Sequence, residues 1–165
     1  MRDARIAMIY EGTNGIQAQD LVMRKLTLAD GQPVRAYFGQ IRETLACAAR
    51  EHHAAFLVEP LKAALEQLEG VTTRLVNGDL ANPDDRNAAA VDYLRLFALV
   101  SFGWMWVRMV LACASSGHAL KEAQARHKCA VATFFMQRVL PQASALAQQI
   151  GAGAGAIMAL PDEMF

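Results

Sequence analysis

Apolar residues recur along most of this chain at intervals of three, four or sums of these, the spacing that lays side chains on one face of an α-helix. Val34, Phe38, Ile41, Leu45, Phe56, Leu61, Leu65 and Leu68 keep that spacing and predict one long helix from about Val34 to Glu69, ended or kinked at Gly70. A continuation through Val71–Val76 stops at Asn77-Gly78-Asp79, a turn cluster. Asn82-Pro83-Asp84-Asp85 opens the next long segment, since proline suits a first helical position and acids suit the first turn. That segment runs to Ser116-Gly117, and another spans about Leu120–Ile150 with a bend at Pro141, whose ring removes one helical N–H. Ahead of them all, Thr13-Asn14 can cap a shorter helix through about Ile16–Leu28, stopped by Asp30, Gly31 and Pro33. No alternating run of strand length occurs. The expected fold is all-α, an antiparallel bundle of about four long helices behind a short leading segment.

Composition adjusts this picture at a few points. Of 165 residues, 54% are hydrophobic and only 19% charged, so some surface is expected to be covered by another domain or subunit. Lys+Arg and Asp+Glu each number 16, which leaves no net field to attract nucleic acid or an anionic membrane. The apolar stretch over residues 96–117 raises the question of a membrane span, but Arg108 interrupts it and Asp92 and Arg95 adjoin it. A buried central helix is the reading adopted. Cys47, Cys113 and Cys129 are far apart and lack any C-x-x-C partner, which predicts three buried thiols in a reducing cytoplasm. No metal site is expected. His52 and His53 would leave a helix about 100° apart, and no Glu stands three residues before a His. Gly151, Gly153 and Gly155 near the end lack the strand that a dinucleotide loop requires, so they read as a flexible exit from the last helix.

One carboxylate stands apart from the rest. Glu11 is the only acid between Asp3 and Asp20, with apolar residues before it and Gly12-Thr13-Asn14-Gly15 after it. Apolar surroundings would raise its pKa toward the range of a useful base once buried. The residues that follow are the mix a chain needs to turn closely against a ligand. On those features alone, a solvated or helix-capping acid is the plainer alternative.

The string RDARIAMIYEGTNGIQAQDLVMRKL, with Arg2-Asp3, Arg5-Ile6, Ile9-Tyr10-Glu11-Gly12-Thr13, Ile16-Gln17 and Leu21, resembles the catalytic-glutamate segment of the flavin-dependent acyl-CoA dehydrogenases. Residues 34–165 resemble the extra C-terminal helical module of the long members, of the 3-methylmercaptopropionyl-CoA dehydrogenase type, down to Met158-Ala159-Leu160-Pro161. The resemblance implies a division into residues 1–30, the end of a flavin-binding helical domain, and residues 34–165, a separate bundle. It implies Glu11 as the base that takes the α-proton of an acyl-CoA thioester while a β-hydride passes to FAD. It further implies Gly12 against the thioester, and Thr13, Asn14 and Gly15 along the FAD pyrophosphate and ribose. Gly15 stands where many members carry a polar side chain, which leaves only backbone contact there. Gln17 and Arg24 are expected to pack or pair within the helix.

The family's catalytic unit also needs an N-terminal helical domain and a β-domain that 165 helical residues do not contain. The expectation is therefore a C-terminal portion of a longer flavoprotein, inactive by itself, with Glu11 an idle carboxylate at the mouth of the bundle. The alternative is a non-catalytic helical module that packs domains or subunits. The resemblance implies an acyl-CoA substrate, electron-transfer flavoprotein as electron acceptor, and a homo-oligomer.

Overall fold

A computed structural model describes residues 13–115, 122–160 and 164. The α-helices are α1 (Asn14–Asp20), α2 (Gln32–Ala48), α3 (Val58–Asn77), α4 (Pro83–Ser115), α5 (Glu122–Phe134) and α6 (Gln142–Gly151). No strand occurs among the described residues, as the sequence pattern predicts. One turn of π-helix, Leu21–Lys25, extends α1, and another, Phe135–Val139, joins α5 to α6.

The start of α4 shows how local sequence sets a helix boundary. Asn82 Oδ1 accepts the Asp85 N–H at 2.9 Å, satisfying a donor that the helix end leaves open, and the Asn82 side-chain amide donates to the Asp85 carboxylate. Pro83 takes the first helical position, where a missing N–H costs nothing.

Helix α4 is the spine of the fold and touches every other α-helix. By length and composition it could cross a membrane, yet Leu96, Val100, Val107 and Val110 are fully enclosed by protein. Neighbours on several sides explain much of its apolar sequence, while Val91 and Phe102 remain exposed. Helix α2 runs alongside in the same direction, with Tyr37 stacked on Phe97 at 5.1 Å and edge-on to Trp104 at 5.3 Å. Helix α3 runs the opposite way, Thr72 meeting Tyr93. The α5–α6 arm is also antiparallel to α4, with Lys128 over Trp106 and Arg95 bonded to Gln142.

Three hydrogen bonds of one design tie these helices together. Thr72 Oγ1 donates to the Leu68 carbonyl at 2.6 Å and lies 2.7 Å from the Tyr93 hydroxyl. Its single proton is spent on the carbonyl, so Tyr93 is the donor between them. Ser101 likewise donates to Phe97 O and meets Tyr37 Oη at 2.7 Å, while Thr44 donates to Gln40 O and accepts Trp104 Nε1–H at 2.8 Å. Each aromatic polar tip thus finds a partner on a facing helix, the condition for burying it cheaply.

Several expectations are corrected. The segment from Val34 to Glu69 is two helices, because the chain folds back through residues 49–57 on short turns such as Glu51 N–H to Ala48 O and Ala54 N–H to Glu51 O. Phe56 in that break is 47% exposed and is no core residue, and His52 and His53 sit in the turn. Helix α3 continues straight through Gly70 to Asn77. Cys47 is exposed and Cys113 and Cys129 are half-buried, so the thiols are not buried as a set. The glycine-rich tail is pinned where a flexible exit was expected. Ala154 N–H donates to Asp85 Oδ1 at 2.6 Å, and the Gly151 carbonyl accepts from Arg74, itself paired with Asp79.

Two glycines make the tail and α3 a paired test. Gly153 has a left-handed φ of +66°, and a Cβ there would lie 2.7 Å from Asp85 Oδ1. Gly153→Ala is expected to destabilise by roughly 1–3 kcal/mol. Gly70 lies mid-helix and exposed, with nothing within 4 Å of a notional Cβ. Gly70→Ala is expected to stabilise by about 0.5–1 kcal/mol, from helix propensity alone. Urea unfolding of both variants checks the opposite signs.

Candidate functional site

Of the residues that carry candidate chemistry, Glu11 and Gly12 lie outside the described residues, whereas Thr13, Asn14 and Gly15 open α1. Thr13 is the N-cap, with φ −110° and ψ −13°, and its carbonyl accepts the Gln17 N–H at 2.8 Å. Its side chain makes no capping bond. Thr13, Asn14 and Gly15 are all exposed, and a Cβ on Gly15 would meet nothing within 4 Å. The three therefore share one solvent-facing helix start, with an uncommitted hydroxyl and first-turn N–H groups that the helix itself cannot satisfy. Such groups suit an anion like a pyrophosphate. No Lys or Arg lies within residues 13–19.

The segment is fixed by its opposite face. Ala18, Val22 and Leu26 recur every four residues, are essentially fully buried, and belong to the same apolar cluster as Phe38, Leu96 and Ile150. Beyond them Asp20 accepts from Arg24 Nε at 2.6 Å and Nη2 at 3.0 Å, with Lys25 Nζ 3.0 Å from Oδ2. The Arg24 hydrogen bonds first, then Lys25, hold the Asp20 carboxyl at about 2, well below the ordinary carboxylate range. Arg24 thus pairs within the helix, as expected. The π turn shifts the register by one residue, seen in the Leu26 N–H to Leu21 O bond of 3.0 Å. The link to α2 then passes through Ala29, Asp30 and Gly31, all at positive φ.

Among the described residues, no three His, Cys, Asp or Glu side chains come together as a metal site would require. Sequence reasoning missed one concave feature, a groove between the start of α2 and the end of α3 lined by Val34, Phe38 and Val76 with Arg35 and Asn77 at its rim. Its walls come from both ends of what reads as a continuous helix. The signal that could have exposed the fold-back is Pro60, which suits a helix's first turn and disfavours its interior.

Comparison with known proteins defines the class. The sequence profile described as acetyl-CoA dehydrogenase C-terminal like matches residues 37–161, which is most of the chain. The chain belongs to that family, and with it to the C-terminal region of the acyl-CoA dehydrogenases. It is 27% identical over 175 aligned residues, covering all of this chain, to the broad-specificity linear acyl-CoA dehydrogenase FadE5 of Mycobacterium tuberculosis. It is 31% identical over 146 residues, covering 87% of this chain, to the 3-methylmercaptopropionyl-CoA dehydrogenase of Ruegeria pomeroyi. A stretch of 45 residues, 27% of this chain and 7% of the relative, is 47% identical to a butyryl-CoA dehydrogenase of Syntrophomonas wolfei. The chain spans 29% and 25% of the lengths of the first two relatives.

Proposed function

We propose that this chain is the C-terminal part of a flavin-dependent acyl-CoA dehydrogenase, in which Glu11 is the general base that removes the α-proton of an acyl-CoA thioester. The observation that carries the reading is the glutamate string over residues 2–28 standing directly before a module whose family match covers residues 37–161. Bound FAD would accept the β-hydride. The chain's own residues have narrower tasks. Glu11 takes the proton, and its placement among apolar residues would keep water away and its pKa high enough to act. Gly12 leaves room for the thioester. Thr13, Asn14 and Gly15 offer a hydroxyl and backbone N–H groups to the flavin's phosphates, and the buried face of α1 holds them in place. Residues 1–30 then complete the flavin-binding domain, and residues 34–165 form the separate module.

Electron-transfer flavoprotein as acceptor, a homo-oligomeric state and a cytoplasmic setting complete the proposal. The intact flavoprotein is expected to convert an acyl-CoA to its α,β-unsaturated thioester, and failure across short, medium and long acyl chains would count against it. The 165-residue chain alone lacks the remaining walls of the pocket. Mixed anaerobically with FAD and an acyl-CoA, it is expected to leave the flavin colour unbleached. Bleaching that disappears in Glu11→Gln would overturn that inactivity.

A second reading is favoured by one observation. Phe102 and Phe134 are about 60% exposed, and Ile157, Met158, Leu160 and Met164 are exposed on the tail. Residues 34–165 would then serve to pack domains or subunits, with the chemistry confined to the leading segment. A strictly monomeric species in sedimentation, for both the chain and the intact protein, would speak against subunit packing.

A further inference from the structure

The groove between α2 and α3 pairs an apolar wall with a cationic rim. It encloses about 280 Å³, and Val34, Phe38 and Val76 form its apolar side. Two arginines border it. Arg42 is spent, lying 2.5 Å from Glu69 Oε1, an oxygen that is buried. Arg35 has no hydrogen-bond or ion-pair partner among the described residues, and its Nη1 reaches back over Gly31, 3.0 Å from where a Cβ would stand. Gly31, held at φ +75°, is therefore the residue that lets the guanidinium lie across the mouth of the groove.

We propose that this groove binds a small amphipathic monocarboxylate, with Arg35 receiving the carboxylate and Val34, Phe38 and Val76 receiving its aliphatic body. The charge count selects a monoanion. Among the described residues Arg42 and Glu69 cancel, Arg35 supplies one unpaired positive charge, and a dianion would meet Glu69 with no second free cation lining the groove. A planar guanidinium fork matches a carboxylate in two parallel hydrogen bonds, as it would a phosphate, which the titration below sets against it. A volume of about 280 Å³ suits a small ligand rather than a long acyl chain. The site is distinct from the leading segment, so it stands or falls independently of the dehydrogenase reading.

Titration of the ¹⁵N-labelled chain by NMR with hexanoate, hexanol, hexylammonium and inorganic phosphate tests the assignment. Hexanoate is expected to give saturable shifts at the amides of Gly31, Thr73 and Asn77, with hexanol about tenfold weaker or worse and no saturation by hexylammonium or phosphate. Arg35→Ala, an exposed change that leaves the melting temperature in place, is expected to bring hexanoate down to the hexanol level. Thr73→Glu, at an exposed helix position on the rim, offers Arg35 an internal carboxylate and is expected to block hexanoate. Equal binding of hexanoate and hexanol, undiminished hexanoate binding in Arg35→Ala, tighter binding of phosphate, or shifts confined to another face would each overturn the proposal.

Discussion

Tyr93→Ala is expected to cost the fold about 3–5 kcal/mol, a large share of the 5–15 kcal/mol that holds a typical domain together. Among the described residues the ring is the largest fully buried side chain, and it lies where α3 and α4 meet, 6.2 Å from Phe97. Its removal leaves a hole in a layer that cannot close, since both helices are held on their other sides. The hydroxyl contributes separately. Tyr93→Phe removes the donor but leaves Thr72 bonded to Leu68 O, and should cost only about 1 kcal/mol. Thr72→Val instead strands the buried phenol without its partner, at about 1–3 kcal/mol. The order Tyr93→Ala, Thr72→Val, Tyr93→Phe in denaturant midpoints checks the reading. Alkaline pH gives a further handle, because burial pushes the Tyr93 phenol well above its ordinary value near 10. The folded state thus resists ionisation that the unfolded chain undergoes near pH 10. This contribution is complete below that pH and is lost progressively above it, and Tyr93→Phe should flatten the decline.

The second large effect concerns chemistry. In the intact flavoprotein proposed here, Glu11→Gln is expected to lower kcat about 10²- to 10⁴-fold with little change in KM. The amide matches the carboxylate in shape but cannot take a proton, so binding survives and proton removal does not. Wild-type activity should rise with pH through the ionisation of Glu11, and the residual activity of the variant should not follow that rise. Steady-state kinetics across pH separates the two.

Much of the architecture was legible because helix signals here are long and redundant. Asn82-Pro83-Asp84-Asp85 announces a helix start by three independent means, and the structure uses all of them. The apolar stretch of α4 is readable as a central helix because its two flanking charges and Arg108 are spaced to reach a surface. What stayed hidden has a common physical cause, contacts between residues distant in sequence. The local mark of the fold-back is Pro60, which lies just past residues 49–57; within them Ala54 and Leu57 are apolar and buried, as helix residues would be. Gly70 reads as a stop only if packing is ignored; α3 buries Leu68, Val71 and Leu75 around it, and this outweighs a propensity loss of about 1 kcal/mol. The tail is ordered by Asp85, some seventy residues earlier, a partner no local pattern reveals.

The candidate site divides along the same line. The string proposed to carry its chemistry is local, a carboxylate followed by small residues, and so stands out in the sequence. The placement of Thr13, Asn14 and Gly15 on an open helix start follows from Ala18, Val22 and Leu26, whose four-residue spacing was readable but whose partner, α4, was not. The groove at Arg35 was invisible for the reason that hid the fold-back.

The central claim is that Glu11 of this chain is the base of an acyl-CoA dehydrogenase. Rapid anaerobic mixing of the intact flavoprotein with an acyl-CoA tests it most directly. The account predicts that wild-type protein loses its oxidised flavin colour in a single turnover, while Glu11→Gln, with flavin and acyl-CoA both bound, keeps it. Bleaching of the variant at the wild-type rate would contradict the claim.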